Sequence, residues 1–163
     1  MKKAKSIDRL ELLDAAFEIV DGMDVFPPFS GGVSDTEIAK EEKSLKIVLP
    51  PSYRAFLRHF GAQQDGGFEG VDLQYGNRIS KRCKLFWKDG LPKNFLTVFF
   101  EGTTCFALNT EEVAEDGEFA AYQYSWLRKE ESLEWVANSF ADLFISYFGV
   151  EKEAKAMLKK RAK

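Results

Sequence analysis

The apolar residues of this chain change period twice, and that change limits what the chain can fold into. Ile7, Leu10, Leu13, Ala16, Phe17 and Val20 recur at steps of three or four, the spacing of a helix with one buried face, and Gly22 stops the pattern. A connection rich in proline and glycine follows from Phe26 to Gly32. Ser34-Asp35-Thr36-Glu37 then reads as a capping box opening a second helix, with Ile38 and Leu45 as a thin apolar stripe. Leu49-Pro50-Pro51 starts a third helix, because the fixed φ of proline suits a first helical turn. Tyr53, Phe56, Leu57 and Phe60 form its aromatic face, and Gly61 is placed to close it in a left-handed cap.

Between Gly66 and Tyr124 the pattern becomes one of short β-prone runs. They are Phe68 to Tyr75, Cys83 to Trp87, Phe95 to Phe100, Thr104 to Leu108 and Phe119 to Tyr124, separated by turn signals such as Glu101-Gly102 and Asp116-Gly117. Phe95 to Leu108 reads as a hairpin, and its near-continuous apolar character predicts strands covered on both faces. Helical period returns with Leu133, Val136, Phe140, Leu143, Phe144 and Tyr147 on one face, ended by Gly149. A Lys-rich last helix is expected between Val150 and Lys163. Helices, strands and helices again predict an α+β fold over residues 1–163: one domain, with a mixed or largely antiparallel sheet of five or six strands flanked by helices.

Charge and composition narrow the function. The formal net charge is −3, without the basic footprint that nucleic-acid binding usually needs, so no direct nucleic-acid partner is expected. No apolar run reaches the ~18 residues of a membrane span, and the basic start is followed by an acid-bearing segment where a signal peptide would be apolar. A cytoplasmic protein with reduced thiols and no membrane association is the expectation.

Catalytic residues are scarce. His59 is the single histidine, and its place near a helix end suits a cation at the negative end of the helix dipole. Cys83 and Cys105 lie in apolar surroundings, where a thiol behaves as a small hydrophobe. No Cys-x-x-Cys or His-x-x-x-His spacing occurs, so no metal is expected. The Gly66 to Gly70 run precedes a strand instead of opening a helix, and no Gly-Lys-Ser/Thr occurs, so no phosphate cradle or cofactor is expected. The chain is therefore read as no enzyme.

The distribution of charge says more. Glu111 to Glu134 holds eight carboxylates against Arg128 and Lys129, a net of −6. Gly76 to Lys93 holds six bases against Asp89, a net of +5. The acidic stretch is interleaved with aromatic residues, the composition of a surface that meets a basic protein partner. Its candidate binding residues are Glu111, Glu112, Glu115, Asp116, Tyr122, Tyr124 and Trp126. Strand alternation sends the three aromatic residues to one side, which is either core or the anchor of an interface.

The stretch from Thr36 to Leu57 resembles the opening motif of the SUKH superfamily, the Smi/Knr-like proteins. The matching residues are Glu37, Ile38, Glu41 or Glu42, Leu45, Leu49, Pro50, Tyr53, Phe56 and Leu57. Ser139-Phe140-Ala141-Asp142-Leu143-Phe144 resembles the family's closing helix, and the likeness spans residues 34–148. Two features depart from the family pattern: Glu101-Gly102-Thr103-Thr104 stands where many members have a Gly-Gly-Gly-Asp-like turn, and Gly61-Ala62 where Asn-Gly is usual. The resemblance implies a SUKH-like fold and a non-catalytic immunity protein that neutralises a co-encoded toxin, a nuclease being one fit, by occluding its active or substrate-binding site. A regulatory scaffold of the cell-wall-regulator type is the alternative it implies.

Overall fold

In the computed structural model, which describes residues 7–127 and 133–163, the proline-started helix sits at the centre of the packing. This helix, α3 (Pro51–His59), comes after α1 (Arg9–Asp21) and α2 (Asp35–Leu45). Pro50 caps α3 and Pro51 takes its first helical position, as the Leu-Pro-Pro signal predicts. Tyr53, Phe56 and Leu57 are wholly buried. The Phe56 ring lies 5.2–6.1 Å, centroid to centroid, from Phe29, Tyr53, Phe60, Phe68, Phe140 and Phe144. Gly61 follows at φ +71°, where a Cβ would stand 2.2 Å from the Gly31 carbonyl oxygen, so the residue has to be glycine.

The other early helices begin where their caps dictate. The Asp8 carboxylate accepts from the Leu10 and Glu11 amides and starts α1 two residues after the expected Ile7. Ser34 Oγ accepts from the Glu37 amide at 3.4 Å. The expected capping box is half formed, because Glu37 turns its carboxylate to Lys40 and Arg78 instead of back to the cap.

Two of the expected strands are corrected. Cys83 to Trp87 is not a strand but part of α4 (Ile79–Lys88). Ile79, Cys83 and Phe86 recur at helical spacing and are buried, while Lys81, Lys84 and Lys88 face solvent. A five-residue window on a half-buried helix looks like a strand because its two apolar edges dominate it. Phe68 to Tyr75 is likewise strand only at β1 (Gly67–Phe68). Asp72 accepts from the amides of Gln74 and Tyr75, which turns the chain before a longer strand can form.

The sheet continues with β2 (Phe95–Glu101), β3 (Thr104–Val113), β4 (Phe119–Tyr124) and β5 (Leu133–Ala137), all antiparallel and in sequence order. The Phe95 to Leu108 hairpin is central, and β2 is buried on both faces as its composition predicts. One face carries the main core with α1, α3 and α5. On the other, Phe95, Cys105, Ala107 and Tyr124 pack with Phe86 of α4, and Trp87 Nε1 donates to the Phe95 carbonyl at 2.8 Å.

The helix expected from Leu133 to Tyr147 divides in two. Leu133 to Ala137 pairs with β4, and only then does Ser139 cap α5 (Phe140–Phe148) by accepting from the Asp142 amide at 3.1 Å. Gly149 closes α5 in the left-handed region, as expected, and α6 (Glu151–Arg161) packs on α1. The Lys-rich start of the chain, and Arg128, Lys129, Glu130 and Glu131 of the acidic stretch, lie outside the described residues.

A buried polar knot joins α3, β4 and α5. The Ser52 amide and hydroxyl donate to the Glu118 carboxylate at 2.8 and 2.6 Å, and Ser52 Oγ accepts from the Ala141 amide at 3.2 Å. Glu118 thus meets the positive end of the α3 dipole. Burial nevertheless pushes its carboxyl above the ordinary glutamate value, outweighing the Ser52 hydrogen bonds.

Two expected outcomes arise from this packing. Phe56→Ala should destabilise the protein by about 3–5 kcal/mol, read from urea denaturation; a loss below about 1 kcal/mol would mean that the ring is not a packing centre. Glu118 binds its proton more tightly folded than unfolded, so its contribution is fully present below the ordinary value of 4.5 and is lost as pH rises through the raised folded value. Glu118→Gln should flatten that descent, and parallel stability-against-pH curves for the two proteins would contradict it.

Candidate protein-binding surface

The acidic end of the β3–β4 hairpin owes its shape to a mismatch in strand length. Leu108 pairs with Ala121 and Val113 with Phe119, so Asn109 to Glu112 oppose the single residue Ala120. The three extra residues make the strand bulge outward. They are held from below: the Thr110 amide and hydroxyl donate to the Asn94 carbonyl at 2.8 and 3.0 Å. Asn94 Nδ2 donates to Asn109 Oδ1, which also accepts from the Glu111 amide. Beyond Val113 the Ala114 amide donates to the Glu118 carbonyl at 2.9 Å and closes the turn.

The bulge and the turn beyond it leave Glu111, Glu112 and Glu115 exposed, and no ion pair engages them among the described residues. Glu112 accepts from the Tyr122 hydroxyl at 2.6 Å, and that hydrogen bond holds the phenol above its ordinary pKa. Asp116 behaves differently: it pairs with Arg9 and ties the hairpin to the start of α1.

The aromatic candidates do share one side, as alternation predicts, and α4 covers that side. Tyr124 is buried, and Tyr122 is partly buried against Phe95. Trp126 packs edge-on to Tyr124 at 4.6 Å and Phe100 at 5.9 Å, and 5.4 Å from Phe86. These rings brace the sheet behind the acidic edge.

Exposed apolar contact comes instead from residues that the sequence pattern did not single out. Val113 is 56% and Val48 71% exposed, and they flank a groove of about 410 Å³ walled by Ile47, Thr110, Gly117 and Phe119. Val48 stands out only because α2 ends in the left-handed Lys46, which turns the Ile47-Val48 segment past the hairpin. The interleaving of Val113 with Glu112 and Glu115 was the available signal.

Two of the six bases in the basic stretch, Arg78 and Arg82, are spent inside the fold, while Lys81, Lys84, Lys88 and Lys93 are exposed. Arg78 donates to Glu37 at 3.1 Å and to Glu41 at 3.0 Å, and Glu41 also accepts from the Ser80 amide at 2.8 Å. Arg82 pairs with Glu69 at 2.9 Å and lies over the Phe86 ring. These bonds fasten α4 to α2 and β1. His59 is paired with Asp21 at 2.6 Å and stacked on Phe17, near the end of α3. Burial pushes both thiols, Cys83 and Cys105, up to about 12. Among the described residues no group of three His, Cys, Asp or Glu is placed to hold a metal, and no helix is long and apolar enough to cross a membrane.

A five-stranded antiparallel sheet with helices on both faces, and an acidic rim around a small apolar groove at one hairpin end, make up an α+β architecture. The model of the SMI1 / KNR4 family (SUKH-1) matches residues 32–146, and the chain belongs to that family. A crystal structure of a protein from Pseudomonas syringae pv. tomato is similar in fold: TM-score 0.51, 21% identity, 77% of this chain and 89% of that one covered. The comparison with curated proteins gave no match.

The thiol environment gives a direct expectation. Neither cysteine should react with a thiol reagent at pH 8 in the native protein, and both should react in urea. Rapid native labelling of either would mean that the strand β3 or helix α4 is open to solvent.

Proposed function

We propose that this chain is a non-catalytic immunity protein that binds a toxin domain in the cytosol and blocks its active or substrate-binding site. The observation that carries the reading is the acidic end of the β3–β4 hairpin: three exposed carboxylates, Glu111, Glu112 and Glu115, beside the exposed apolar pair Val48 and Val113. Fixed carboxylates steer a basic surface toward the site, and the valines supply desolvated contact once it docks. A nuclease cleft fits this chemistry, because it is basic where it holds phosphate. Asp116, Tyr122, Tyr124 and Trp126 act behind the contact, Asp116 through Arg9 and the rings through the packing that supports β4. Membership of the SUKH family supports a binding role, and the buried, protonated thiols and the paired His59 support a role without catalysis.

The test is association kinetics with a co-encoded toxin domain across ionic strength. Replacing Glu111, Glu112 and Glu115 with Lys should slow association about tenfold or more at low salt, with little change in dissociation. Val48→Asp should act on the other rate, raising dissociation. Inhibition should saturate at equimolar protein. Unchanged association at low salt would remove the bulge from the interface, and turnover by the isolated chain would remove the non-catalytic reading.

A further inference from the structure

The outer side of α4 is a second charged surface. Ile79, Cys83 and Phe86 are buried beneath the helix, and the Trp87 indole fastens it to the Phe95 carbonyl, so the outer side rests on a rigid base. Lys81, Lys84, Leu85 and Lys88 stand at i, i+3, i+4 and i+7, the spacing that shares one helical face. All four are exposed, Leu85 at 50%. From Lys81 to Lys88 the strip runs about 10.5 Å along the helix axis, at 1.5 Å per residue.

The charge of this strip goes unanswered among the described residues. Glu37, Glu41 and Glu69, the carboxylates that fasten α4, are paired with Arg78 and Arg82, and no ion pair engages Lys81, Lys84 or Lys88. Asp89 is the single acid between Gly76 and Lys93. The helix dipole accounts for Lys88, in the last turn, but disfavours Lys81, which stands in the first. Like charges three and four residues apart also repel along the strip. An acidic partner relieves both effects.

We infer that the outer side of α4 docks an acidic helix of a protein partner, whose carboxylates at steps of three and four meet Lys81, Lys84 and Lys88 and whose apolar residue packs on Leu85. The lysines set register and speed the encounter, and Leu85 supplies the desolvated contact. Leucine at the centre of the strip separates this partner from a nucleic acid, because phosphates give it nothing apolar to touch. A membrane surface fits less well, since α4 turns its apolar face into the fold and offers lipid one leucine. The hairpin carboxylates repel the same acidic partner, so the two surfaces hold or fail separately.

Fluorescence anisotropy of two labelled peptides against the full chain tests this. One carries glutamates at steps of three and four, with leucine between them, on a single helical face. The other has the same composition with its glutamates spread round the helix. The first should bind, and amide NMR should place its shifts at Lys81, Lys84, Leu85 and Lys88. Lys81→Gln, Lys84→Gln and Lys88→Gln together should weaken binding about tenfold or more at low salt; glutamine keeps the helix propensity of lysine, so α4 stays intact. Leu85→Ser should weaken it about threefold, and still do so at high salt, where the lysines are screened. Equal binding of the two peptides, unchanged affinity in Leu85→Ser, or shifts confined to Lys159, Lys160 and Arg161 of α6 would each overturn the inference. So would tighter binding of a single-stranded RNA or of phosphatidylserine vesicles than of the first peptide.

Discussion

The seating of one short helix decides most of this structure. α3 has nine residues, far too few to persist alone, so its stability comes from burying Tyr53, Phe56 and Leu57. Phenylalanines from the connection after α1, from β1 and from α5 close around Phe56, which joins elements distant in sequence. The end of α3 is equally constrained, because Gly61 passes the Gly31 backbone too closely for any side chain. At its start, Ser52 and Glu118 fix the helix to β4 and α5. The aromatic richness of the chain, with 15 Phe, is the composition of that core rather than of an interface.

Charge divides along the same lines. Arg78 and Arg82, which look like a basic patch in the sequence, are directed inward to Glu37, Glu41 and Glu69 and hold α4 in place. Removing Arg78 would leave the buried Glu41 without its counter-charge, so this pair serves the fold. The carboxylates of the bulge have no such partners among the described residues, because the strand mismatch lifts them away from the sheet. The hairpin end is therefore an acidic surface although the chain as a whole is only mildly acidic. Net charge alone says little about where a partner binds.

Much of this was legible in the sequence. The cap at Ser34, the proline start of α3, the β2–β3 hairpin, β4 to the residue, and the glycine ends of α3 and α5 are local instructions. They act through hydrogen bonds and φ preferences within a few residues, so a sequence window contains them. The family signature is of the same kind, since Leu49-Pro50 and Tyr53-x-x-Phe56-Leu57 are the start and the buried face of α3.

The remaining features were decided by contacts outside any window. Leu133 and Val136 share a helical spacing with Phe140, Leu143 and Tyr147, yet Leu133 to Ala137 becomes β5 because β4 offers it an open edge. Cys83 to Trp87 is β-prone in isolation, yet it becomes helical because Ile79, Cys83 and Phe86 together find apolar surface on the sheet. The sequence pattern points to Trp126 as an exposed anchor, yet Trp126 packs against Phe86 of α4 while Trp135 is left exposed. Sequence by itself determined where the chain caps, turns and stops. Which faces were covered, and so which charges and rings were left exposed, was settled by burial, which depends on what lies across space.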